Sequence, residues 1–395
     1  MANKTDYWRR FPDGSPNRWT VESDGARNWC VTLPNGVDLE ISRRNPHITF
    51  DDVYLRDQAS SRLWANSLRF VLPILEAGDA STTWALLALL EDHLKEDPRD
   101  EAGQYSGSLD HQYALQLRTL CDVRSWLYSQ AGSIDTDERD AVLRGAVRAI
   151  YHRVQELGLL RPNNHGIMLG ISLLHSFYMF DDVAWGSASA YSDEAHAEQD
   201  ITGRGEVSGF LMESLFGVLG DDGVANENTP VYQGFYLRLL EGLIEFNCWA
   251  YGAADQKLTS LLEAAKTSFR SMLLPNGAVP PLGDASLSYQ SELEPLPGLW
   301  ASTDNGLLVR STEDSFFSFI CGFRGVFHKQ LDDTSIFLWH GGDALIQDAG
   351  LISYDINDPI AVAVRGQLGH SGVYFKDFDS VRAEKVIAYG AGTRL

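Results

Sequence analysis

The apolar residues of this chain change their spacing once, and that change limits what it can fold into. From about Ser60 to Arg270 they recur at three- and four-residue intervals, the period of a helix. The segments are Trp64–Glu76, Thr82–Glu96, Gln112–Ala131, Thr136–Leu157, Gly209–Leu219, Tyr232–Ala250 and Gln256–Leu273, and a further apolar stretch begins at Ile167. Pro73 is expected to kink or shorten the first of them. Between Pro275 and Asp284 stand three prolines and two glycines, a rigid, turn-rich connection. Beyond it the spacing falls to two: Gly306–Arg310, Ser315–Ile320, Thr334–Trp339 and Gly372–Phe375 read as strands.

Helices with short connections favour antiparallel pairs, which close into an α/α toroid or stack as a solenoid. No strict repeat is present, so a tetratricopeptide-type array is disfavoured. Successive strands without intervening helices make an antiparallel sheet. The expected class is therefore α+β and multidomain, an N-terminal α/α toroid followed by an antiparallel β-sheet domain. Its expected parts are an N-terminal arm (1–59), the toroid (60–274), a connector (275–300) and the sheet region (301–395). The arm holds a hairpin, Trp29–Leu33 and Val37–Ile41 around Pro34-Asn35-Gly36, with Gly36 supplying the positive φ. Strands still accumulate near Leu395. The sheet is thus small, or completed by another copy as a homo-oligomer, or the sequence is shorter than the full product.

Composition removes several function classes. The net charge of −22 argues against a nucleic-acid partner and, more weakly, against a densely sulfated polymer. A glycan with one carboxylate per sugar can still be held in a local cationic cleft. No apolar run approaches the ~20 residues of a membrane span. The first residues lack the apolar core of a secretory signal, so the expected location is cytoplasmic. Cysteines 30, 121, 248 and 321 have apolar or aromatic neighbours and are expected as buried free thiols. P-loop, GxGxxG, GxSxG and HExxH motifs are absent from the sequence.

Three polar islands carry the chemistry. Asn163-Asn164-His165-Gly166 precedes a helix; it reads either as a cap or as a site in which Asn164 donates to a substrate oxygen and His165 acts as base or carboxylate clamp. In the second, Glu227 and Asn228 lead to Thr229-Pro230, which suit N-cap and N1 positions, and to Tyr232, which reads as packing or as a proton-transfer group. The third is His328-Lys329-Gln330-Leu331-Asp332-Asp333, where Lys329, with Arg324, can serve a carboxylate-bearing ligand. Asp348 and His370 follow, loop residues or ligands to a divalent metal. A softer island is His111, one helix face with Arg118, which either reaches a sugar carboxylate or pairs with Asp110 or Asp122.

Taken in order, these islands resemble the heparinase II/III superfamily of polysaccharide lyases, which includes alginate lyases. The resemblance runs from about residue 60 to 375, through Asn163-Asn164-His165-Gly166, Asp222-Gly223, Glu227, Tyr232, Pro280–Asp284, His328-Lys329, Asp332-Asp333, Asp348-Ala349-Gly350, Tyr354 and His370. It implies a toroid followed by antiparallel sheets, and cleavage of an acidic, uronate-containing polysaccharide or oligosaccharide by β-elimination. Asn164 and His165 would neutralise the carboxylate, Tyr232 would be acid, or acid and base both, and His328 the other proton-handling group; Arg118, His111, Glu227 and Lys329 would bind substrate. No cofactor is required for that chemistry.

Three departures stand out. Gln330 occupies a position where the family commonly has His, which in several members helps hold a structural metal with the equivalents of Asp348 and His370. Gln is a poor zinc ligand, which points to no metal or to a harder ion such as calcium. Ser371 stands where the family usually has Asn, and the β region is short. Two other readings remain open: a glycoside hydrolase on the same toroid, using carboxylates among Asp222, Glu227 and Asp284, and a non-catalytic glycan-binding or assembly protein.

Overall fold

The computed structural model describes residues 3–11, 20–23, 28–33, 36–42, 59–77, 80–95, 109–130, 137–183, 185, 193–285, 289–353 and 357–373. The chain forms two compact units, Met1–Ser214 and Leu215–Leu395.

In the first unit, β1 (Thr20–Ser23), β2 (Asn28–Thr32) and β3 (Asp38–Ser42) form an antiparallel sheet in that order. The expected hairpin is β2–β3, with Gly36 at φ +80°. Trp29 pairs with Ile41 and Val31 with Leu39, so the four apolar residues share the buried face. Burial of each stabilises by about 1.5–3 kcal/mol.

The helices of this unit are α1 (Tyr7–Arg10), α2 (Ala59–Asn66), α3 (Val71–Ala77), α4 (Ala80–Lys95), α5 (Leu109–Ser129), α6 (Asp137–Leu157), α7 (Asn164–Met179) and α8 (Asp193–Leu219). The single helix expected over Trp64–Glu76 is two, α2 and α3. The break precedes Pro73: Ser67 Oγ donates to the Trp64 carbonyl (2.6 Å) and Leu68 is left-handed at φ +59°. Pro73 then lies in the first turn of α3, where a missing N–H costs nothing.

α5 is buried along most of its length and packs against α7 and α6. Arg124, 1% exposed, anchors it: its guanidinium donates to both oxygens of Asp140 (2.7 and 2.8 Å), to Asp182 (2.8 Å) and to the Met179 carbonyl (2.6 Å). The N-terminal segment is pinned to the same helices. The Tyr7 hydroxyl lies 2.6 Å from His175 Nδ1, and Ser125 Oγ donates to the Lys4 carbonyl (2.6 Å). Burial pushes the Tyr7 phenol well up, and burial with the Arg118 charge pushes the His175 imidazole well down. The contact therefore joins a neutral phenol to a neutral imidazole.

The second unit holds the end of α8, then α9 (Pro230–Tyr251), α10 (Gln256–Met272), a five-stranded antiparallel sheet and α11 (Pro359–Arg365). The strands β4 (Gly298–Ser302), β5 (Leu307–Ser311), β6 (Ser315–Ile320), β7 (Ile336–His340) and β8 (Asp343–Ile346) are hydrogen-bonded in chain order. Thr229 caps α9 with Pro230 behind it, and left-handed Gly252 ends it. The α+β class, helices followed by an antiparallel sheet, is the one expected.

The division between units falls inside α8, and in the second unit α10 and the connector pack with the sheet. Leu274, Ala278 and Leu282 share one core with Val309, Phe316, Ile320, Phe337 and Trp339. β4 and β8 escaped the period-two reading because they are edge strands with little alternating burial; Leu299 is 68% and Leu345 61% exposed. Gly372 and Val373 are not in a strand, although Val373 exchanges hydrogen bonds with Thr334 Oγ1 (2.8 and 2.9 Å); Tyr374 and Phe375 lie outside the described residues. Of the four thiols, Cys121 is buried and Cys30 half-buried, but Cys248 and Cys321 are exposed, since one lies on the outer side of α9 and the other just past the end of β6. Among the described residues no helix is long and apolar enough to cross a membrane.

Candidate functional site

The first island opens α7. Asn163 caps it, its Oδ1 accepting from the Gly166 N–H (2.9 Å). Gly166 is required by close approach: a Cβ there would overlap the Arg161 carbonyl oxygen. Asn164 Oδ1 accepts from the His165 N–H (3.0 Å), which leaves its amide N–H₂ turned to other partners. The His165 ring, a third exposed, places Nδ1 3.1 Å from Asp110 Oδ1 at the head of α5. His111 lies beside it, ring centroids 5.2 Å apart. Burial raises the Asp110 carboxyl, but the His165 hydrogen bond and charge, the His111 N–H and the Arg161 charge outweigh it and hold the carboxyl below its usual value. An ionised Asp110 accepts from Nδ1–H and fixes the tautomer, so Nε2 is the nitrogen available to a ligand. The structure thus brings Asn164, His165 and His111 together.

Arg118 lies elsewhere. Its Nη2 donates to the Phe11 carbonyl (2.9 Å), its Nη1 is 3.4 Å from His175 Nε2, and the guanidinium sits over the Tyr7 ring. Neither expected partner claims it, because Asp110 is held by His165 and Asp122 by Arg69 (2.6 Å). Arg118 is an anchor of the N-terminal segment.

The second and third islands meet inside the second unit. His328 Nδ1 is 2.8 Å from Asp284 Oδ2 and Nε2 is 3.2 Å from Glu227 Oε2. Both carboxylates accept only, so making both bonds at once needs hydrogen on both ring nitrogens. The Tyr232 ring stacks on this imidazole, centroids 4.0 Å apart and planes 25° apart. Glu227, 3% exposed, also accepts from the Tyr236 hydroxyl (2.7 Å), and Asp284 accepts from Gln330 Nε2 (2.7 Å). Burial and the Glu227 charge push the Tyr236 phenol well up, so it stays a donor.

The backbone around this cluster is bent by design of the sequence. Asn228 and His328 are both left-handed (φ +58° and +53°). Asn228 Nδ2 donates to the Gly325 and Phe327 carbonyls (both 2.8 Å), tying the His328 loop to the start of α9. Gly283, at φ +58°, lies against the Asn228 carbonyl oxygen, where no Cβ fits. These held, uncommon conformations are of the kind that cluster at functional sites.

Lys329 and Arg324 turn inward. Lys329, 3% exposed, pairs with Asp332 and, at 3.5 Å, with Asp333. Burial pushes the Asp332 carboxyl up against the pull of the Lys329 charge. Arg324 Nη2 donates to the Val218 and Val224 carbonyls. Both cations are engaged by protein acceptors.

The metal residues form a separate contact. His370 Nδ1 lies 3.0 Å from Asp348 Oδ2, and Asp348 Oδ1 accepts from Ser335 Oγ (2.6 Å) and the Ser371 N–H (3.1 Å). Both oxygens of Asp348 are thus taken by protein donors, and Gln330 turns its amide N–H₂ to Asp284. Among the described residues no three His, Cys, Asp or Glu side chains gather as a metal would need. The buried His370 Nε2 has no hydrogen-bond partner, but one imidazole is not a coordination set. These residues do not fit a bound zinc. Tyr354 lies outside the described residues.

Sequence reasoning missed Tyr236 altogether and named Asp284 only as a hydrolase carboxylate. The signal for Asp284 was Gly283 before it, a glycine at the end of a proline-rich turn. Asp222, the third such carboxylate, accepts from Ser302 Oγ (2.5 Å) and the Val224 N–H (3.1 Å) and braces a turn.

No family model matches the chain, and no curated protein matches it. Solved structures do. A crystal structure titled heparinase III superposes with a TM-score of 0.60 at 11% identity, covering 82% of this chain and 56% of that one. Another heparinase III, with methylated lysines, gives 0.59 at 14% identity, with the same coverages of 82% and 56%. The heparan sulfate lyase HepC from Pedobacter heparinus gives 0.53 at 13% identity, covering 80% and 53%. The chain therefore spans little more than half the length of the structures it matches, and what it shares with them is the fold of heparinase III.

Proposed function

We propose that this chain belongs to a polysaccharide lyase that cleaves an uronate-containing glycan by β-elimination. The observation that carries the reading is the stack of Tyr232 on His328, an imidazole whose two nitrogens are both held against carboxylates. Elimination needs a base for the weakly acidic C5 proton and an acid for the departing C4 oxygen. A phenol serves as base only where nearby positive charge favours the phenolate. His328, when it carries the two ring hydrogens that its bonds to Asp284 and Glu227 require, sets a cation against the ring face, and those two carboxylates moderate its charge. Tyr232 then takes the C5 proton, the C4–O bond breaks, the C4–C5 double bond forms, and the same phenol returns a proton to the leaving oxygen. No covalent intermediate forms.

Loss of the C5 proton builds negative charge on the uronate carboxylate, so donors aimed at it lower the barrier. Asn164 and His165 are proposed as those donors. Supporting them are the free amide hydrogens of Asn164 and the hold of Asp110 on His165 Nδ1; donation from Nε2 as well requires hydrogen on both ring nitrogens. Glu227 acts through His328, and His111 lies beside the carboxylate-binding ring.

The hydrolase reading loses its carboxylate pair, since Glu227 and Asp284 grip the same imidazole and leave no room for a sugar between them. The test is mass analysis of products from a panel of uronate polymers: elimination adds no water, hydrolysis adds one. Products carrying added water overturn the lyase reading; glycan binding without any product favours a binding protein.

A further inference from the structure

We infer that Gln330 is a positioning residue for the proton-transfer pair, acting through Asp284 on His328. The inference rests on the lyase reading above and assigns this site a part that the reaction itself does not name. Gln330 is 1% exposed, and its Nε2 donates to Asp284 Oδ1 at 2.7 Å. The other oxygen of that carboxylate faces His328 Nδ1 at 2.8 Å. The contacts form one unbroken line: Gln330 to Asp284, Asp284 to His328, His328 to Glu227, Glu227 to Tyr236. Two neutral donors, an amide and a phenol, thus cap the two carboxylates from outside, and the imidazole is gripped from both sides.

The amide orientation is forced. Reversing it would set Gln330 Oε1 against a carboxylate oxygen, two acceptors in contact. As placed, Oε1 is buried without a hydrogen-bond partner. A buried amide that satisfies only its donor half is poorly explained by packing, because an apolar side chain of the same length would leave no orphan. What the amide alone provides is a hydrogen bond to Asp284 that carries no charge. A cation there would compete with His328 for the carboxylate; an acid would repel it; an aliphatic group would let it turn. Asp284 needs that restraint because its side chain is fully buried and its backbone follows the left-handed Gly283. The carboxylate sets the plane of the His328 ring, and that plane is the surface on which Tyr232 stacks at 4.0 Å. Outer partners of this kind orient a working group without touching substrate.

The test compares wild type with Gln330→Met, which keeps length and removes the donor, and Gln330→Glu, which keeps shape and sets a second carboxylate against Asp284. The first readout is the ring N–H proton and nitrogen-15 signals of His328, assigned by their loss in His328→Gln. The second is steady-state kinetics on whichever uronate polymer the wild type cleaves. The inference expects the His328 Nδ1–H signal to move or vanish in both variants, and kcat to fall about 10- to 100-fold with KM within about twofold. Unchanged His328 signals in a folded Gln330→Met protein, or unchanged kcat, overturn it. If the wild type cleaves no uronate polymer, the lyase reading fails on its own account, and the His328 signals still decide whether Gln330 holds the ring.

Discussion

The Tyr232 ring lies face to face with the His328 imidazole at 4.0 Å. The two residues come from the first turn of α9 and from a loop nearly a hundred positions later, and two carboxylates fix the imidazole in place. A phenol alone is a poor base near neutral pH, so a base role for Tyr232 depends on the charge that His328 carries between its two carboxylates.

Tyr232→Phe removes one oxygen and keeps the stack. Activity on the uronate substrate should fall by about 10²–10⁴-fold while the thermal midpoint stays close to wild type, because the ring stack is kept and the side chain is only half-buried. Steady-state kinetics beside a melting curve measure both. Near-wild-type turnover would remove Tyr232 from the proton-transfer role.

The Asp110–His165 contact predicts an acid-sensitive first unit. The folded Asp110 carboxyl lies below its unfolded value, so its contribution to stability is present above pH ~4 and is lost as pH falls through the folded value. Asp110→Asn should be less stable than wild type at neutral pH, with the gap closing in acid. Urea midpoints across that range check the sign; a gap that widens in acid contradicts it.

Arg124 predicts the largest structural loss. Arg124→Leu leaves Asp140, itself 7% exposed, with only the more exposed Arg144 at 3.3 Å in place of two short buried bonds. Removing one partner of such a pair costs about 3–5 kcal/mol. Chemical denaturation of the first unit reads it. A cost below about 1 kcal/mol would mean that the site relaxes or admits water.

Gly283→Ala tests the backbone on which the site is built. A side chain at φ +58° is strained, and its Cβ would meet the Asn228 carbonyl oxygen. The expected cost is about 1–3 kcal/mol together with a loss of turnover larger than stability explains, since Asn228 ties down the His328 loop. Equal loss of folded fraction and activity would assign Gly283 a structural role only.

The fold was largely legible because periodicity reports burial. The α5, α6, α9 and α10 spans and strand β6 match their expected ranges to within a few residues. Pro73 misled because its rank within the helix, third rather than central, depends on where Leu68 turns left-handed, a tertiary effect. β4 and β8 carried little alternation because, at the edges of the sheet, most of their residues are exposed and only Trp300, Ser302 and Ala344 face inward. The candidate site was legible as residue types and not as partners. Asn163, Thr229 and Pro230 cap helices as their chemistry dictates. His328 was named, but its two carboxylates come from 44 and 101 positions away, and spacing carries no trace of such contacts. Lys329 read as a ligand contact and Arg118 as a ligand contact or a partner of Asp110 or Asp122; they bond instead to Asp332 and the Phe11 carbonyl, which spacing along the chain does not reveal.

The most direct test of the central claim is ultraviolet absorbance of the unsaturated uronate product, followed for the wild type and Tyr232→Phe on alginate, hyaluronan, heparan and bacterial exopolysaccharides. The account predicts a rise with at least one polymer that is lost in Tyr232→Phe. A rise that survives in Tyr232→Phe, or product release by hydrolysis without any rise, would contradict it.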